Sequence, residues 1–309
     1  MKHRKLLIVI LVCIIVFIAS SVAGIIVAAN TVEWNKLTIS GLMNGDFGGL
    51  FEGKGLAGLF RGNKINRTID KFFSLPLENI ETIRITGVAE QLEIGLSDGD
   101  QVECRLSGEY YTAYRDMEYV YETNGSQLHI HPDYPVFGFI NVDLVQQVLI
   151  PANFAGRVEI GTVSGDCAIG SLSGATWSSL AFTGVSGSFK CDLAAVEQIR
   201  FENISGRVIL QGCTGHVQGK TVSGPVTIDW QSFNGGKLNT VSGDISLQLP
   251  ADASCKLIFD SVSGGVNNQD LGFEMSNSSG GQSTYVLNGG EYLLDVETVS
   301  GDLKTSPTP

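Results

Sequence analysis

Residues 240–245 read Thr240-Val241-Ser242-Gly243-Asp244-Ile245, and the central tripeptide of this segment returns six more times. We call these tripeptides the S-G corners. Their structural residues are the pairs Ser164 and Gly165, Ser186 and Gly187, Ser205 and Gly206, Ser223 and Gly224, Ser242 and Gly243, Ser263 and Gly264, and Ser300 and Gly301. Successive corner serines lie 22, 19, 18, 19, 21 and 37 positions apart. The last step is about twice the others, so we expect a degenerate corner near Ser279-Gly280.

Apolar residues keep a fixed phase around each corner serine. Around Ser242 they occupy Leu238 before the corner and Ile245 and Leu247 after it. Apolar residues at every second position indicate strands, and the corner glycine suits a bend with positive φ or a close approach to a neighbouring chain. A Gly/Ser-rich linker with chance tripeptides would not keep this phase. The pattern predicts an all-β chain, a β-solenoid of about eight two-strand repeats of about 20 residues.

Composition and charge exclude some partners. Of the 309 residues 17% are charged and 38 are glycine, and the formal net charge is −12. Residues 1–30 hold three basic residues and no acidic one, so the remainder has 20 − 3 = 17 basic against 32 acidic residues, or −15. A surface this acidic is a poor partner for nucleic acid or a bare anionic membrane. We therefore predict no nucleic-acid partner.

The N-terminal segment predicts a membrane anchor. An uncharged run extends from Leu6 to Ala29 and follows Lys2, Arg4 and Lys5. It is long enough to cross a bilayer as one helix. The basic residues predict a cytoplasmic N-terminus and an extracytoplasmic C-terminal domain. The alternative is a cleaved signal peptide, for which Ser20-Ser21-Val22-Ala23 offers small residues, although the run is longer than a usual signal core.

The chain divides into four parts by composition. Residues 41–62 contain eight glycines, which favours a flexible spacer. Alternating apolar residues begin near Ile80, and these lead-in strands should cap the N-terminal end of the solenoid. The predicted parts are 1–30 (cytoplasmic tip and transmembrane helix), 31–79 (juxtamembrane spacer), 80–305 (solenoid, with lead-in strands over 80–151 and S-G repeats over 152–305) and 306–309 (tail).

Candidate chemistry is sparse. His129 and His131 lie on one face of a strand at a spacing that can hold a metal, but without an evident third ligand we expect a solvated face and no metal site. The six cysteines show no metal-ligand spacing, and Cys167 and Cys191 fall at inward positions as small buried residues. Five of the six lie beyond the membrane segment, an odd number that argues against a complete disulfide framework.

No catalytic or cofactor-binding residue is predicted. A nucleophile elbow and a phosphate loop are both absent. The acidic residues on the repeats are Asp166, Glu202, Asp229, Asp244, Asp260 and Asp302. Three of them share the position two after the corner serine, but other residues occupy that position in the remaining repeats, so we expect no continuous carboxylate column.

The chain resembles the bacterial putative-adhesin domains of unknown function, which include LiaG-like envelope proteins. The resemblance rests on the T-V-S-G-D corners at 162–166, 240–244 and 298–302, on the lead-in ending in Val148-Leu149-Ile150-Pro151, and on the single N-terminal membrane segment. It covers roughly residues 80–305. It implies a β-solenoid in the Gram-positive cell envelope and its stress response, and it carries over no catalytic residues.

Three functions compete at this stage. The first is a non-enzymatic, membrane-anchored adhesin or scaffold whose solenoid surface meets a protein or a cell-wall polymer. The second is a polysaccharide-processing β-helix enzyme, which would need paired carboxylates in a groove. The third is a structural or regulatory subunit of a membrane complex. An aromatic-lined face would favour binding, clustered ionisable groups would favour the enzyme, and a smooth polar face would favour the structural subunit.

Overall fold

The structure, a computed structural model, describes residues 65–112, 115–134, 140–192 and 196–308. Within these ranges about 69% of the residues are in strands and almost none are helical, which confirms the predicted all-β class. The predicted transmembrane segment, Leu6 to Ala29, lies outside them. In the part that the structure describes, no helix is long and apolar enough to cross a bilayer.

The strands alternate with short turns throughout. They are β1 (Ile65–Pro76), β2 (Thr82–Thr86), β3 (Gln91–Ser97), β4 (Gln101–Thr112), β5 (Glu118–Asn124), β6 (Gln127–Asp133), β7 (Ile140–Pro151), β8 (Arg157–Thr162), β9 (Cys167–Ser171), β10 (Ser179–Ser186), β11 (Phe189–Asp192), β12 (Gln198–Ser205), β13 (Val208–Cys213), β14 (His216–Ser223), β15 (Val226–Trp230), β16 (Gly236–Ser242), β17 (Ile245–Leu249), β18 (Cys255–Ser263), β19 (Val266–Asn267), β20 (Glu274–Ser279), β21 (Gln282–Leu287), β22 (Tyr292–Ser300) and β23 (Leu303–Pro307). A 3-10 helix, Gln269–Leu271, follows β19.

The described strands form two sheets of 11 and 12 strands. Sheet A has the order β1-β4-β7-β3-β9-β11-β13-β15-β17-β23-β19, and sheet B has the order β20-β21-β18-β22-β16-β14-β12-β10-β8-β2-β6-β5. Each coil is one strand of sheet B followed by one of sheet A, and neighbouring coils pair in parallel. The coils stack as β6/β7, β2/β3, β8/β9, β10/β11, β12/β13, β14/β15, β16/β17, β22/β23 and β18/β19.

The core lies between the two sheets and follows the predicted alternation. In β17, Ile245, Leu247 and Leu249 are buried, while the residues between them are partly exposed. Ile245 pairs in register with Val226 of one neighbouring coil and Leu303 of the other. Each such side chain contributes about 1.5–3 kcal/mol through burial. Because every coil repeats the pattern, one continuous core runs along the stack.

Spatial order departs from chain order at both ends of the stack. Coil β2/β3 lies between β6/β7 and β8/β9, and the last coil in the chain, β22/β23, lies between β16/β17 and β18/β19. The predicted degenerate corner at Ser279-Gly280 is wrong. Gly280 and Gly281, with φ of 65° and 94°, form the turn of the antiparallel hairpin β20–β21, because two-residue turns with positive φ match the twist of a hairpin. This hairpin pairs with β18 and covers that end of sheet B.

Two predicted boundaries also need correction. The spacer over 31–79 includes β1, which pairs antiparallel with β4 along its whole length. The alternation of β1 was hard to recognise because it is an edge strand with only Ile69 and Leu75 buried. The predicted tail, 306–309, includes the last two residues of β23. Antiparallel β1, β4 and β5 do cap the N-terminal end as expected, but the lead-in also contributes two full coils.

Candidate functional site

The S-G corners come together in one column where each strand of sheet B turns into sheet A. We call this column the corner edge. The corner serines pair in register in the order Ser186, Ser205, Ser223, Ser242, Ser300, Ser263. Neighbouring coils are about 4.8 Å apart. The corner edge is therefore a regular array of short polar side chains.

The corner glycines are required by close approach between coils. A Cβ on Gly243 would overlap the carbonyl oxygen of Gly224, and a Cβ on Gly224 would overlap that of Gly206. Of the seven corner glycines only Gly187, Gly206 and Gly224 have φ in the left-handed region. The expectation of positive φ at Gly243 is wrong, and the alternative reason for glycine, a close neighbour, applies there.

The corner serines fall into two groups. The hydroxyls of Ser164, Ser205 and Ser263 each donate to a carbonyl oxygen of the neighbouring coil, at 3.0, 3.2 and 3.4 Å. In the part of the chain that the structure describes, the exposed hydroxyls of the second group have no partner. That group includes Ser223, Ser242 and Ser300, which are consecutive in the stack. The second group is therefore free to bind a ligand.

The corner aspartates hold the neighbouring backbone. Asp166 Oδ1 accepts from the backbone N–H of Ser188 at 2.7 Å. Asp244 Oδ1 accepts from that of Asp302 at 3.1 Å, and Asp302 Oδ1 accepts from that of Gly265 at 2.8 Å. The insertion of β22/β23 makes Asp244 and Asp302 neighbours, which the sequence order did not predict. Each carboxylate nevertheless serves as a connection between coils.

A shallow groove of about 610 Å³ lies on the corner edge. Its walls are the corners of coils β14/β15, β16/β17, β22/β23 and β18/β19. They include Ser223, Gly224, Pro225, Ser242, Gly243, Asp244, Ser263, Ser300, Gly301 and Asp302. The groove thus combines the three unpartnered hydroxyls with two carboxylates and exposed backbone, and none of the described residues that line it is aromatic. We call it the corner groove.

The remaining acidic residues do not converge on this groove. Glu202 lies on the outer face of sheet B, where it pairs with Lys220 at 3.0 Å. Asp260 lies on β18 in the same sheet, and Asp229 lies on β15 in sheet A. The described part of the chain therefore places only Asp244 and Asp302 together among the candidate acids.

An eighth corner was missed because it lacks serine and glycine. Leu92 pairs with Cys167, which aligns Val88-Ala89-Glu90 with Val163-Ser164-Gly165. The apolar phase at Ile83, Ile85, Leu92 and Ile94 matches the repeat and could have revealed this coil.

Glu90 takes the glycine position and is 1% exposed. Its carboxylate accepts from the Tyr134 hydroxyl at 2.6 Å and from the backbone N–H groups of Val88 and Ala89. Burial raises the pKa of the Glu90 carboxyl, although these hydrogen bonds oppose the rise. Burial, and then the charge of Glu90, raises the pKa of Tyr134. Glu90 closes the glycine column, since its carbonyl oxygen is the atom that a Cβ on Gly165 would overlap.

The structure adds a partner to the predicted histidine pair. Glu122, on β5, lies directly opposite His129 on β6. His129 and His131 stack with ring centroids 4.4 Å apart. Burial, followed by the charges of His131 and Arg84, lowers the pKa of His129 to about 4. The sequence did not reveal Glu122 as a third ligand, because only the register of the β5–β6 hairpin places it beside the two histidines.

The five cysteines of the described residues are buried and unpaired. They are Cys104, Cys167, Cys191, Cys213 and Cys255. Burial raises the pKa of Cys104 and Cys255 to about 12 and raises that of the other three as well. The inward placement predicted for Cys167 and Cys191 is confirmed, and neither is a reactive thiol.

The sheet faces of the central coils are polar and smooth. Large exposed apolar side chains of the described residues occur only on or beside strands near the ends of the stack: Ile65, Phe72, Tyr121, Val262, Met275, Tyr292 and Leu293. None lies on the coils from β8/β9 to β16/β17. The described residues of these coils thus do not form the aromatic-lined face that would favour binding along a sheet.

A two-sheet parallel β-solenoid with a polar corner edge defines the class of protein. The chain belongs to the Toastrack DUF4097 family, whose model matches residues 150–306. This result confirms the predicted resemblance to a putative-adhesin domain family of unknown function. No curated protein matches the chain.

Two solved structures are similar to this chain. One is a putative cell adhesion protein from Clostridium sporogenes ATCC 15579, with 16% identity, a TM-score of 0.37, and coverage of 78% of this chain and 100% of that one. The other is a putative lipid binding protein from Parabacteroides distasonis ATCC 8503, with 14% identity, a TM-score of 0.28, and coverage of 79% and 97%. Similarity at this level carries no argument about function.

Proposed function

We propose that this chain is a non-enzymatic, membrane-anchored protein on the extracytoplasmic side of the membrane, and that it holds a polar cell-envelope polymer in the corner groove. The observation that carries the proposal is the row of three solvent-facing hydroxyls on Ser223, Ser242 and Ser300, in register on neighbouring coils. Hydroxyls that make no bond within the protein are available to a ligand at no cost to the fold.

The chemistry of the groove favours an uncharged, hydroxyl-rich or amide-rich ligand. Serine hydroxyls both donate and accept, and the aspartates Asp244 and Asp302 add acceptors. The acidic balance beyond residue 30, 17 basic against 32 acidic residues, disfavours a polyanion. A wall glycan has the required groups, and a regular polymer suits the regular spacing of the coils.

The commitment of Asp244 and Asp302 to backbone N–H groups supports the non-enzymatic part of the proposal. A glycosidase needs one carboxyl group that donates a proton and a second that acts as nucleophile or base. Here each aspartate already joins two coils. The polysaccharide-processing enzyme is therefore the weaker alternative.

The proposal is tested by co-sedimentation of the full-length chain with isolated peptidoglycan sacculi. The groove variant is Ser223→Ala/Ser242→Ala/Ser300→Ala. The loss of three hydrogen bonds of about 0.5–1.5 kcal/mol each should weaken binding by at least about tenfold. The unfolding midpoint should not change, because these hydroxyls have no partner within the described chain.

The matched control is Ser164→Ala/Ser205→Ala, which removes corner hydroxyls outside the groove. Both donate to a neighbouring coil. This variant should lose stability, by about 0.5–1.5 kcal/mol per hydroxyl, and still bind sacculi as the wild type does. If the groove variant binds as tightly as the wild type, or if the wild type does not bind, the corner groove is not a glycan site.

The smooth polar faces of the central coils favour a second function, a structural or regulatory subunit of a membrane complex. Crosslinking in intact cells would distinguish the two functions. A subunit of a membrane complex should capture one membrane protein, and this capture should not depend on the groove serines. A role in cell-envelope stress is part of the first proposal, on the resemblance to LiaG-like proteins. A strain lacking the chain should then be more sensitive to antibiotics that act on the wall.

A further inference from the structure

The β5–β6 hairpin brings three metal-ligating side chains together at the edge of sheet B. One ligand atom from each of Glu122, His129 and His131 lies within 4.8 Å of the other two. The antiparallel register places Glu122 opposite His129, and His131 follows on the same face. His131 Nε2 is 3.9 Å from Glu122 Oε1. The arrangement follows from the hairpin and needs no distant segment.

One ring nitrogen of each histidine already has a hydrogen-bond partner. His131 Nδ1 is 3.1 Å from the carbonyl oxygen of Pro132, which can only accept, so Nδ1 is the donor and Nε2 is the nitrogen that the neutral ring can offer to a metal. His129 Nε2 is 2.8 Å from the Thr86 hydroxyl, which can donate or accept and thus suits either tautomer. Partners of this kind orient the histidines of metal sites.

We propose that Glu122, His129 and His131 bind one divalent transition-metal ion of the zinc type, which clamps the edge strand β5 to β6. Two imidazoles and one carboxylate form a known three-residue zinc ligand set that leaves the fourth position to water. Calcium and magnesium prefer oxygen ligands and fit this set poorly.

The ligands need only a small adjustment. Ligand atoms around a tetrahedral zinc ion are about 3.4 Å apart, from bond lengths of about 2.0–2.2 Å. The Glu122 side chain is 72% exposed and can close the distance by changing rotamer, whereas His131 is 16% exposed and stays fixed. Arg84 opposes a cation, since it pairs in register with His129. Its other neighbour is Glu159 on β8, toward which the exposed arginine can turn.

The test is a titration of the full-length chain with Co²⁺, followed by visible absorption and by displacement with Zn²⁺. The wild type should bind one ion per chain. Each of the variants Glu122→Gln, His129→Asn and His131→Asn should weaken binding by more than about tenfold. The matched control is His216→Asn, because His216 is a partly exposed histidine of the same sheet, with Asn234 as its partner, outside the cluster.

Thermal unfolding provides a second measurement. Zn²⁺ should raise the unfolding midpoint of the wild type and of His216→Asn, but not that of the three cluster variants. Their own metal-free midpoints show that they fold. The proposal is overturned if the wild type binds no Co²⁺, if all variants bind alike, if Mg²⁺ competes equally, or if thiolate-to-cobalt absorption places the ion on the cysteines.

Discussion

At the scale of one residue, contact between coils decides which side chain a corner tolerates. The corner glycines approach one another so closely that a single methyl group would meet a neighbouring carbonyl oxygen. The same contact recurs from Gly165 through Gly264, so it is a property of the stack. Glu90 occupies the same position at the end of the column, where its side chain turns back onto its own corner.

Gly243→Ala should lower the free energy of unfolding by about 1–3 kcal/mol, because the backbone of one coil must shift to accommodate the methyl group. The matched control is Gly170→Ala. The nearest atom to a Cβ at that position is the carbonyl oxygen of Ile94, at 3.8 Å, so the change should stay within about 0.5 kcal/mol. Urea unfolding measures both. If the two variants lost equal amounts of unfolding free energy, close approach between coils would not be the reason that glycine is required at the corner.

Glu90→Gln should change the pH dependence of stability. The pKa of Glu90 is raised in the folded state, so between the unfolded and folded values the folded state binds more protons. Wild-type stability contributed by this group is therefore present below the unfolded value, near 4.5, and falls as the pH rises through the folded value. The variant lacks this decline.

The measurement for Glu90 is denaturant unfolding at several pH values from acid to neutral. The comparison concerns the slope of stability against pH, because the amide also changes the hydrogen bonds to Val88 and Tyr134. Glu93→Gln is the control: Glu93 lies on β3, directly after this corner, accepts a hydrogen bond from Gln91, and the variant should follow the wild type. Parallel profiles for wild type and Glu90→Gln would contradict the raised pKa.

At the scale of the element, the strands and the corners could be predicted, but the order of the coils could not. Apolar phase identifies a coil, and it could have done so even at Val88-Ala89-Glu90, a corner that the S-G pattern does not identify. Parallel, in-register pairing is nearly equivalent between any two such coils, since Ser300 pairs with Ser242 and Ser263 alike. Nothing in the repeat itself reports that β22/β23 inserts before β18/β19.

The contacts between side chains on neighbouring strands could not be predicted from the sequence either. Glu122 joins the histidines, and Asp302 lies beside Asp244, only through pairing between distant segments. The doubled step before Ser300 suggests an additional corner, yet it contains the hairpin that covers β18. The candidate residues were thus predictable one by one, and their neighbours were not.

The inserted coil leads to a prediction for a chain that ends at Asn288, without β22 and β23. We expect β18 to lose its amide protection, because its parallel partner is β22 and only the hairpin strand β21 remains beside it. The central strands β10 to β13 should keep their protection and act as the internal control, since their partners are unchanged. Hydrogen exchange measures both. Full protection of β18 would contradict the insertion.

At the scale of the whole molecule, the corner edge and the sheet faces present different groups to solvent. The corner edge offers hydroxyls and carboxylates at regular spacing, while the described residues of the central sheet faces include no large exposed apolar side chain. Family membership agrees with this architecture. A ligand in the corner groove would contact several coils at once.

The most direct measurement compares wild type with Asp244→Asn/Asp302→Asn for sacculus binding and for release of new reducing ends. Asparagine keeps an Oδ1 acceptor for the backbone N–H groups, so the variant should fold. If the chain is a binding protein, both the wild type and the variant should bind sacculi. Neither should release more reducing ends than a buffer control. Release by the wild type that falls by orders of magnitude in the variant, with unfolding unchanged, would contradict the non-enzymatic account.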